Sequence, residues 1–337
     1  MSALIIRRAG PALTVQDLGR PGHIASGLSC GGAADRHGLI EGAALLGQDM
    51  SCAALEMAGF GGTFETRGDL RIALTGAPMK ATLDGQPMLW NASHHLRDGQ
   101  ILEIAGASTG LYGYLHVGGG IATDPFMGSR ATHLVCGIGA LLTHGSELPI
   151  GQDQTPDAPS LTLPPVNRFS GGVVRILPSV QTDRFAHETL ARFQSTVFTR
   201  SPRGNRQGAE LQYDGAPFTC ADQLSILSEP MVAGDIQMTG DGAPFVLLPE
   251  CQTTGGYPRI ATVLPDDLPM VAQAGQGVAL NFRFVERADA VAAHRPLNQR
   301  YADLKRSLQP LLRDPHDIRD LLSYQLISGV VSGEEPA

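Results

Sequence analysis

The chain has 337 residues, enough for one large domain or two of about 150. Hydrophobic residues at 42% supply a sizeable core, while a formal net charge of -8 argues against binding to nucleic acid or an anionic membrane, both of which need basic patches. Forty-one glycines and 23 prolines together suit many short strands better than long helices, and five scattered cysteines, none in C-x-x-C spacing, indicate neither a disulfide framework nor a zinc site.

The first ten residues hold too short an apolar run for a signal peptide, and no run reaches the roughly 18 residues of a membrane span. A reduced, cytoplasmic protein without a metal is expected. A first strand is read at residues 3–7. The polar stretch Thr14-Val15-Gln16-Asp17-Leu18-Gly19-Arg20-Pro21-Gly22 follows. Either Asp17 and Arg20 pair and brace a turn, or the planar fork of Arg20 holds a ligand carboxylate or carbonyl. A Gly-rich segment ends in Asp35, placed to cap a helix over residues 36–46 with apolar positions at Leu39, Ile40, Ala43, Ala44 and Leu46.

Residues 53–148 read as strands and turns, with β-type runs at 55–57, 70–74, 101–104 and 112–117. Asp-Gly pairs at 84–85, 98–99, 214–215 and 241–242 mark hairpins, and the last two repeat D-G-A-P-F, a hint of a duplicated β unit. Glu56 lies inside an apolar run and needs a partner. Gly118-Gly119-Gly120 lacks the helix and ribose-binding acid of a dinucleotide site, and His94-His95 point to opposite faces of a strand. Residues 152–165, rich in Pro, Asp and Thr, read as a linker. After a strand at 173–177, Thr182 is expected to cap a helix over 183–194 that buries Phe185, Leu190 and Phe193.

Three apolar runs at 236–238, 245–248 and 260–264 frame the loop Glu250-Cys251-Gln252-Thr253-Thr254-Gly255-Gly256-Tyr257-Pro258. With no aliphatic residue and two glycines that allow close backbone approach, it is either an ordinary hairpin loop or a seat for a small polar molecule. Residues 287–309 are helical in pattern, with Leu304, Leu308 and Leu311 on one side, and the tail to 337 is expected to fray.

The run T-V-Q-D-L-G-R-P-G at 14–22, A-L-E at 54–56, G-S-R at 128–130, G-x-I-Q at 234–237, P-x-x-L-L-P at 244–249 and Q-T-T-G-G-Y-P at 252–258 together resemble the biotin-dependent carboxyltransferase family. That family includes allophanate hydrolase subunit 2, the C subunit of 5-oxoprolinase, KipA-type proteins and the carboxyltransferase part of urea carboxylase. The resemblance covers residues 3–285. It implies a mostly β chain: two cyclophilin-like antiparallel β-barrel subdomains at 1–151 and 166–286, a few short helices and a helical tail at 287–337. It implies a subunit acting on a small amide or lactam, with ATP shared with partner subunits or with carboxybiotin carried by a partner, and a small partner of the allophanate hydrolase subunit 1 or KipI type. The alternative is a KipA-like regulator that binds a partner protein without catalysis. Several positions depart from the family pattern: Gly31 replaces serine, Tyr112 arginine, His133 aspartate, Ala140 arginine, Glu210 arginine and Glu250 aspartate. Carboxyl transfer needs donors for the developing ureido oxyanion, and lactam hydrolysis needs a polarised carbonyl and a base. The resemblance therefore points to Asp17, Arg20, Asp35, Glu56 and Glu250 for catalysis, and to Gln16, Arg130, Gln237, Gln252, Thr253, Thr254 and Tyr257 for substrate binding.

Overall fold

The structure, a computed structural model, describes residues 2–220 and 226–312. It is mostly β. In the N-terminal half, the strands Glu147–Pro149, Ala3–Ala9, Phe60–Arg67, Ile101–Ala107, Met79–Leu83 and Gln86–Met88 form one sheet in that order. A second sheet runs Leu13–Gln16, Ala54–Ala58, Tyr112–Val117, Leu70–Gly76, Ala92–Leu96, Leu161–Thr162 and Gln309–Pro310. Leu4, Ile6 and Phe64 of the first sheet and Leu55, Ile72, Leu74 and Leu115 of the second share one buried cluster between them. In the C-terminal half, seven strands close a barrel in the order Gly172–Leu177, Arg259–Val263, Asp235–Met238, Pro244–Leu247, Gly208–Gln212, Phe198–Arg200 and Ala279–Phe284. Closure is through one parallel pair, Gly172–Leu177 with Ala279–Phe284. Phe193, Phe198, Phe218 and Phe282 pack edge and tilt against one another inside it.

The strand Leu70–Gly76 is buried on both faces, and its period of two explains how. Leu70, Ile72 and Leu74 enter the inter-sheet core, while Arg71 and Thr75 turn to the helix Arg36–Leu46. There Arg71 donates to Leu46 O at 3.0 Å and Thr75 to Gly38 O at 2.7 Å. Tyr114 and His116 on the neighbouring strand face the same helix. Asp35 caps the helix, accepting from the amides of His37 and Gly38 at 3.0 and 3.1 Å. Gly42 permits the close approach: a Cβ there would lie 2.0 Å from the buried His116 ring. Gly42→Ala would gain about 1 kcal/mol of helix propensity. The clash with a ring held by Thr75 at 2.9 Å outweighs it. A net loss of about 1–3 kcal/mol is expected in urea titration. Gly240→Ala, with open space around it, should hardly move the midpoint.

Several expectations are corrected. Asp84-Gly85 and Asp241-Gly242 do join adjacent antiparallel strands. Asp98-Gly99 instead links strands in different sheets, and Asp214-Gly215 leads into a loop, so the D-G-A-P-F echo does not mark a repeated hairpin. The helix expected at 183–194 is a 3-10 turn, Thr182–Arg184, followed by a helix, His187–Ser195, which starts at Ala186 without a side-chain cap. Thr182 is spent on the barrel, donating to Ile260 O at 2.7 Å. Phe185 and Phe193 are buried as read, and Leu190 half so. The helical pattern at 287–309 is broken into Arg287–Ala293 and Leu297–Ser307, because Pro296 offers no N–H and disfavours helix in the residue before it. Leu304 and Leu308 pack on Leu45, Leu46 and Ala73. The stretch 152–165 is tied down: Asp153 pairs with Arg71, and Leu161–Thr162 adds a strand to the second sheet. The tail read as frayed lies outside the described residues from 313 on. Among the described residues no helix is long and apolar enough to cross a membrane.

Candidate functional site

The two halves meet along a line of buried charge. Glu56, fixed on the strand Ala54–Ala58, accepts from Ala34 N at 2.8 Å and from Tyr114 Oη at 2.7 Å. The Arg206 guanidinium, from the other half, donates to Glu56, to Glu250 and to Gly32 O. Glu56 and Glu250 are each 1% exposed. Glu250 in turn accepts from Leu134 N at 2.9 Å. A second arginine, Arg168, does the same nearby: it donates to Asp35 at 2.7 Å and clamps Glu41 through two bonds of 2.7 Å. Gln273 of the barrel half also donates to Asp35 at 2.8 Å. Burial pushes the Asp35 carboxyl up, but Arg168, His37 and Gln273 together outweigh it and hold the group below the usual carboxylate range. Glu41, sharing the same arginine, is pushed up by burial. Burial and the facing Glu56 drive the Tyr114 phenol far up, so it stays a donor.

Asp17 and Arg20 do not pair. Asp17 accepts from Gly19 N, Ser129 Oγ and Arg130 N at 2.6–2.8 Å, which ties the opening motif to Gly128-Ser129-Arg130. Arg20 is 1% exposed and donates to Ala131 O and Phe126 O, and its Nη1 has no partner. Gln16 donates to Thr132 O at 3.1 Å, with Oε1 unpartnered. Arg130 donates to Thr123 O at 2.7 Å. In the loop after Glu250, Gln252 reaches Gln237 Oε1 at 3.4 Å, Thr253 is buried, and Thr254–Gly255 pairs with Glu229–Pro230. Gln252, Thr254 and Tyr257 are exposed. The Gly-rich segment before Asp35 touches the end of the P-x-x-L-L-P run, since Gly31 N donates to Pro249 O at 3.0 Å.

Beside this line lies a cavity of about 690 Å³. One wall is Ser29, Cys30, Ala33, Ala34, Arg36 and His37; the other is Met231–Ala233, Pro249 and Cys251; Asp266 and the segment 294–298 close it. Its lining takes Pro249 from the P-x-x-L-L-P run, Cys251 from the loop, and Cys30 and Ala33 from the Gly-rich segment before Asp35, but neither Arg20 nor Gln252–Tyr257. The candidate residues named from the sequence include none of Arg206, Arg168, Ser29 and Gln273. Arg206 meets Glu56 across 150 positions and Arg168 meets Asp35 across 133, so no local pattern announces either.

Residues 26–284 match the family described as carboxyltransferase domain, subdomain A and B. The chain belongs to this carboxyltransferase-domain family. Among relatives in this family, the C subunit of 5-oxoprolinase from Escherichia coli is 35% identical over 303 residues, 88% of this chain and 96% of that one. The crystal structure of TTHA0988 superposes with a TM-score of 0.77 at 30% identity, covering 84% of this chain; the chain spans 56% of that protein's length. The urea carboxylase of Kluyveromyces lactis has the same fold, with a TM-score of 0.78 at 20% identity over 93% of this chain and 31% of the enzyme. The charge line thus joins the two halves of a carboxyltransferase-type domain.

Proposed function

We propose that this chain is the C-type subunit of a 5-oxoprolinase, a cytoplasmic multi-subunit enzyme that opens the lactam of 5-oxoproline at the expense of ATP. The observation that carries the reading is likeness. The chain is 35% identical to the C subunit of the Escherichia coli 5-oxoprolinase and 26% identical to the putative urea carboxylase of Emericella nidulans. The cavity suits a small anionic amide, since Arg36, His37 and Arg295 offer donors to a carboxylate while Ala33, Met231 and Pro249 cover the apolar ring. ATP is assigned to a site completed by a partner subunit. That partner is a small subunit of the allophanate hydrolase subunit 1 type.

The test is reconstitution. The chain alone is expected to form no glutamate from 5-oxoproline and ATP, and the chain with its partner subunits is expected to form it. Turnover by the isolated chain would reject the multi-subunit part. A reconstituted complex that leaves the lactam intact but moves a carboxyl group from carboxybiotin to an amide would replace the reading with carboxyl transfer.

A further inference from the structure

We propose that Ile24, Phe126, Met127, Leu134 and Val135 form the docking surface for the small partner subunit. The identity of that occupant rests on the 5-oxoprolinase reading; the surface itself does not. All five side chains are exposed, and they stand on three short loops. Phe126 and Met127 lie in a turn closed by Phe126 N on Ser129 O at 2.8 Å, and Leu134 and Val135 in one closed by His133 N on Ile138 O at 2.8 Å. Ile24 opens the 3-10 turn Ile24–Ser26. A buried polar frame binds the loops into one face. Arg20 donates to Phe126 O at 3.4 Å and to Ala131 O, and its own amide donates to Cys30 O at 2.8 Å. Asp17 accepts from Ser129 Oγ and Arg130 N, and Gln16 donates to Thr132 O. His133 Nδ1 accepts from Cys136 N at 3.4 Å, which leaves the ring proton on Nε2, donated to Ser29 Oγ at 2.8 Å. Met127 is held at a φ of 50°, where an L side chain crowds its own carbonyl, and yet the side chain so presented stands in water.

The chemistry of the face selects the occupant. Apolar side chains gathered on one face mark an interaction site, and fixing them in advance lowers the entropy lost on binding. From 124 to 141 the charged residues are Asp124 and Arg130, and the Arg130 guanidinium is turned back onto Thr123 O at 2.7 Å. The face therefore gives an anionic membrane or a nucleic acid nothing to hold. A second copy would bring a further net charge of -8 against the first. A partner with an uncharged apolar patch meets neither obstacle. Additional chain accompanies the same fold in TTHA0988, of which this chain spans 56%. Ile24 also lines the cavity, so a subunit seated on the face borders the site that it is assigned to complete.

The test is binding of the full chain to the purified partner subunit, read by biolayer interferometry without ATP or 5-oxoproline, so that it is separate from lactam turnover. Met127→Asp and Val135→Asp are each expected to weaken binding about 100-fold, because a carboxylate resists desolvation against an apolar patch. Leu89→Asp changes an exposed apolar residue beside the strand Gln86–Met88 and should bind as the parent does. Thermal melts should agree among all four proteins. If an aspartate variant folds poorly, hydrogen exchange on the parent decides: the partner should slow exchange at 23–28, 124–129 and 133–138. Aspartate variants that bind like the parent, protection confined elsewhere, a parent that does not bind the partner, or a parent that self-associates through Met127 instead would each overturn the proposal. A complex that forms through this face and leaves the lactam intact would reject the 5-oxoprolinase reading and leave the docking surface standing.

Discussion

Arg206→Met is expected to lower the unfolding free energy by about 3–5 kcal/mol, the cost of leaving buried charge uncompensated. Arg206 is the sole bridge among the described ion pairs between Glu56 and Glu250, both 1% exposed. Its own burial lowers the guanidinium pKa, but the two carboxylates more than restore it, so the guanidinium stays charged. Removing the cation leaves two anions in a low dielectric, one from each half of the chain. Methionine fills much of the volume, so the loss reads charge rather than cavity. Urea titration at pH 7 measures it. Adding Glu56→Gln and Glu250→Gln to Arg206→Met should recover a large part of the loss, because neutral amides carry no uncompensated charge. The exposed pair Arg67–Glu147 is the control: Arg67→Ala should cost no more than about 1 kcal/mol. If Arg206→Met behaves like Arg67→Ala, the charge line does not hold the halves together.

The second large effect is of pH. His116 is fully buried, bonded through Nε2 to Thr75 at 2.9 Å, with Nδ1 unpartnered. Burial lowers its pKa from 6.5 to about 3. Between those values the unfolded chain binds a proton that the native chain refuses, so stability rises with pH and falls as the solution is acidified. His116 should contribute about 1 kcal/mol per pH unit over this window. His116→Gln keeps a partner for Thr75 and cannot titrate. Urea midpoints at pH 7.5, 6.5, 5.5 and 4.5 should therefore fall less steeply in the variant. His37 and Asp35, also held low, add acid sensitivity, but equally in parent and variant. Parallel curves for the two proteins would show that His116 does not carry the slope.

What the sequence discloses is local. The helix Arg36–Leu46 with its Asp35 cap is legible because cap, apolar spacing and flanking glycine all lie within a dozen residues. The strands around Glu56 and Tyr112–Val117 are legible for the same reason. Glu56 is recognisable as demanding a partner, and the structure supplies it, but nothing near Glu56 in the sequence points to Arg206. Arg168 lies at the end of a Pro-rich stretch that reads as slack chain. The break at Pro296 is visible in the sequence, yet the leucine spacing around it suggests one helix; the proline rule prevails because a missing donor costs more than propensity gains. Ser29 and His133 are 104 positions apart, and a serine and a histidine at that distance are indistinguishable from any other pair.

The segment 294–298 walls the cavity although it lies beyond the family match, which ends at 284. It is fastened to loops of both halves: Asp266 accepts from Arg295 N and Arg300, and Tyr301 donates to Gln48 O. Selection can therefore act on the two regions at different speeds. A change to Arg206 or Arg168 strands a buried anion and demands a compensating change elsewhere, which makes the junction slow to diverge. A change at the exposed Arg295 or at Asn298 alters the dimensions and polarity of the chamber without disturbing either core. The ligand range of this fold can thus be changed by redrafting one short strap, while the junction beneath it stays the same.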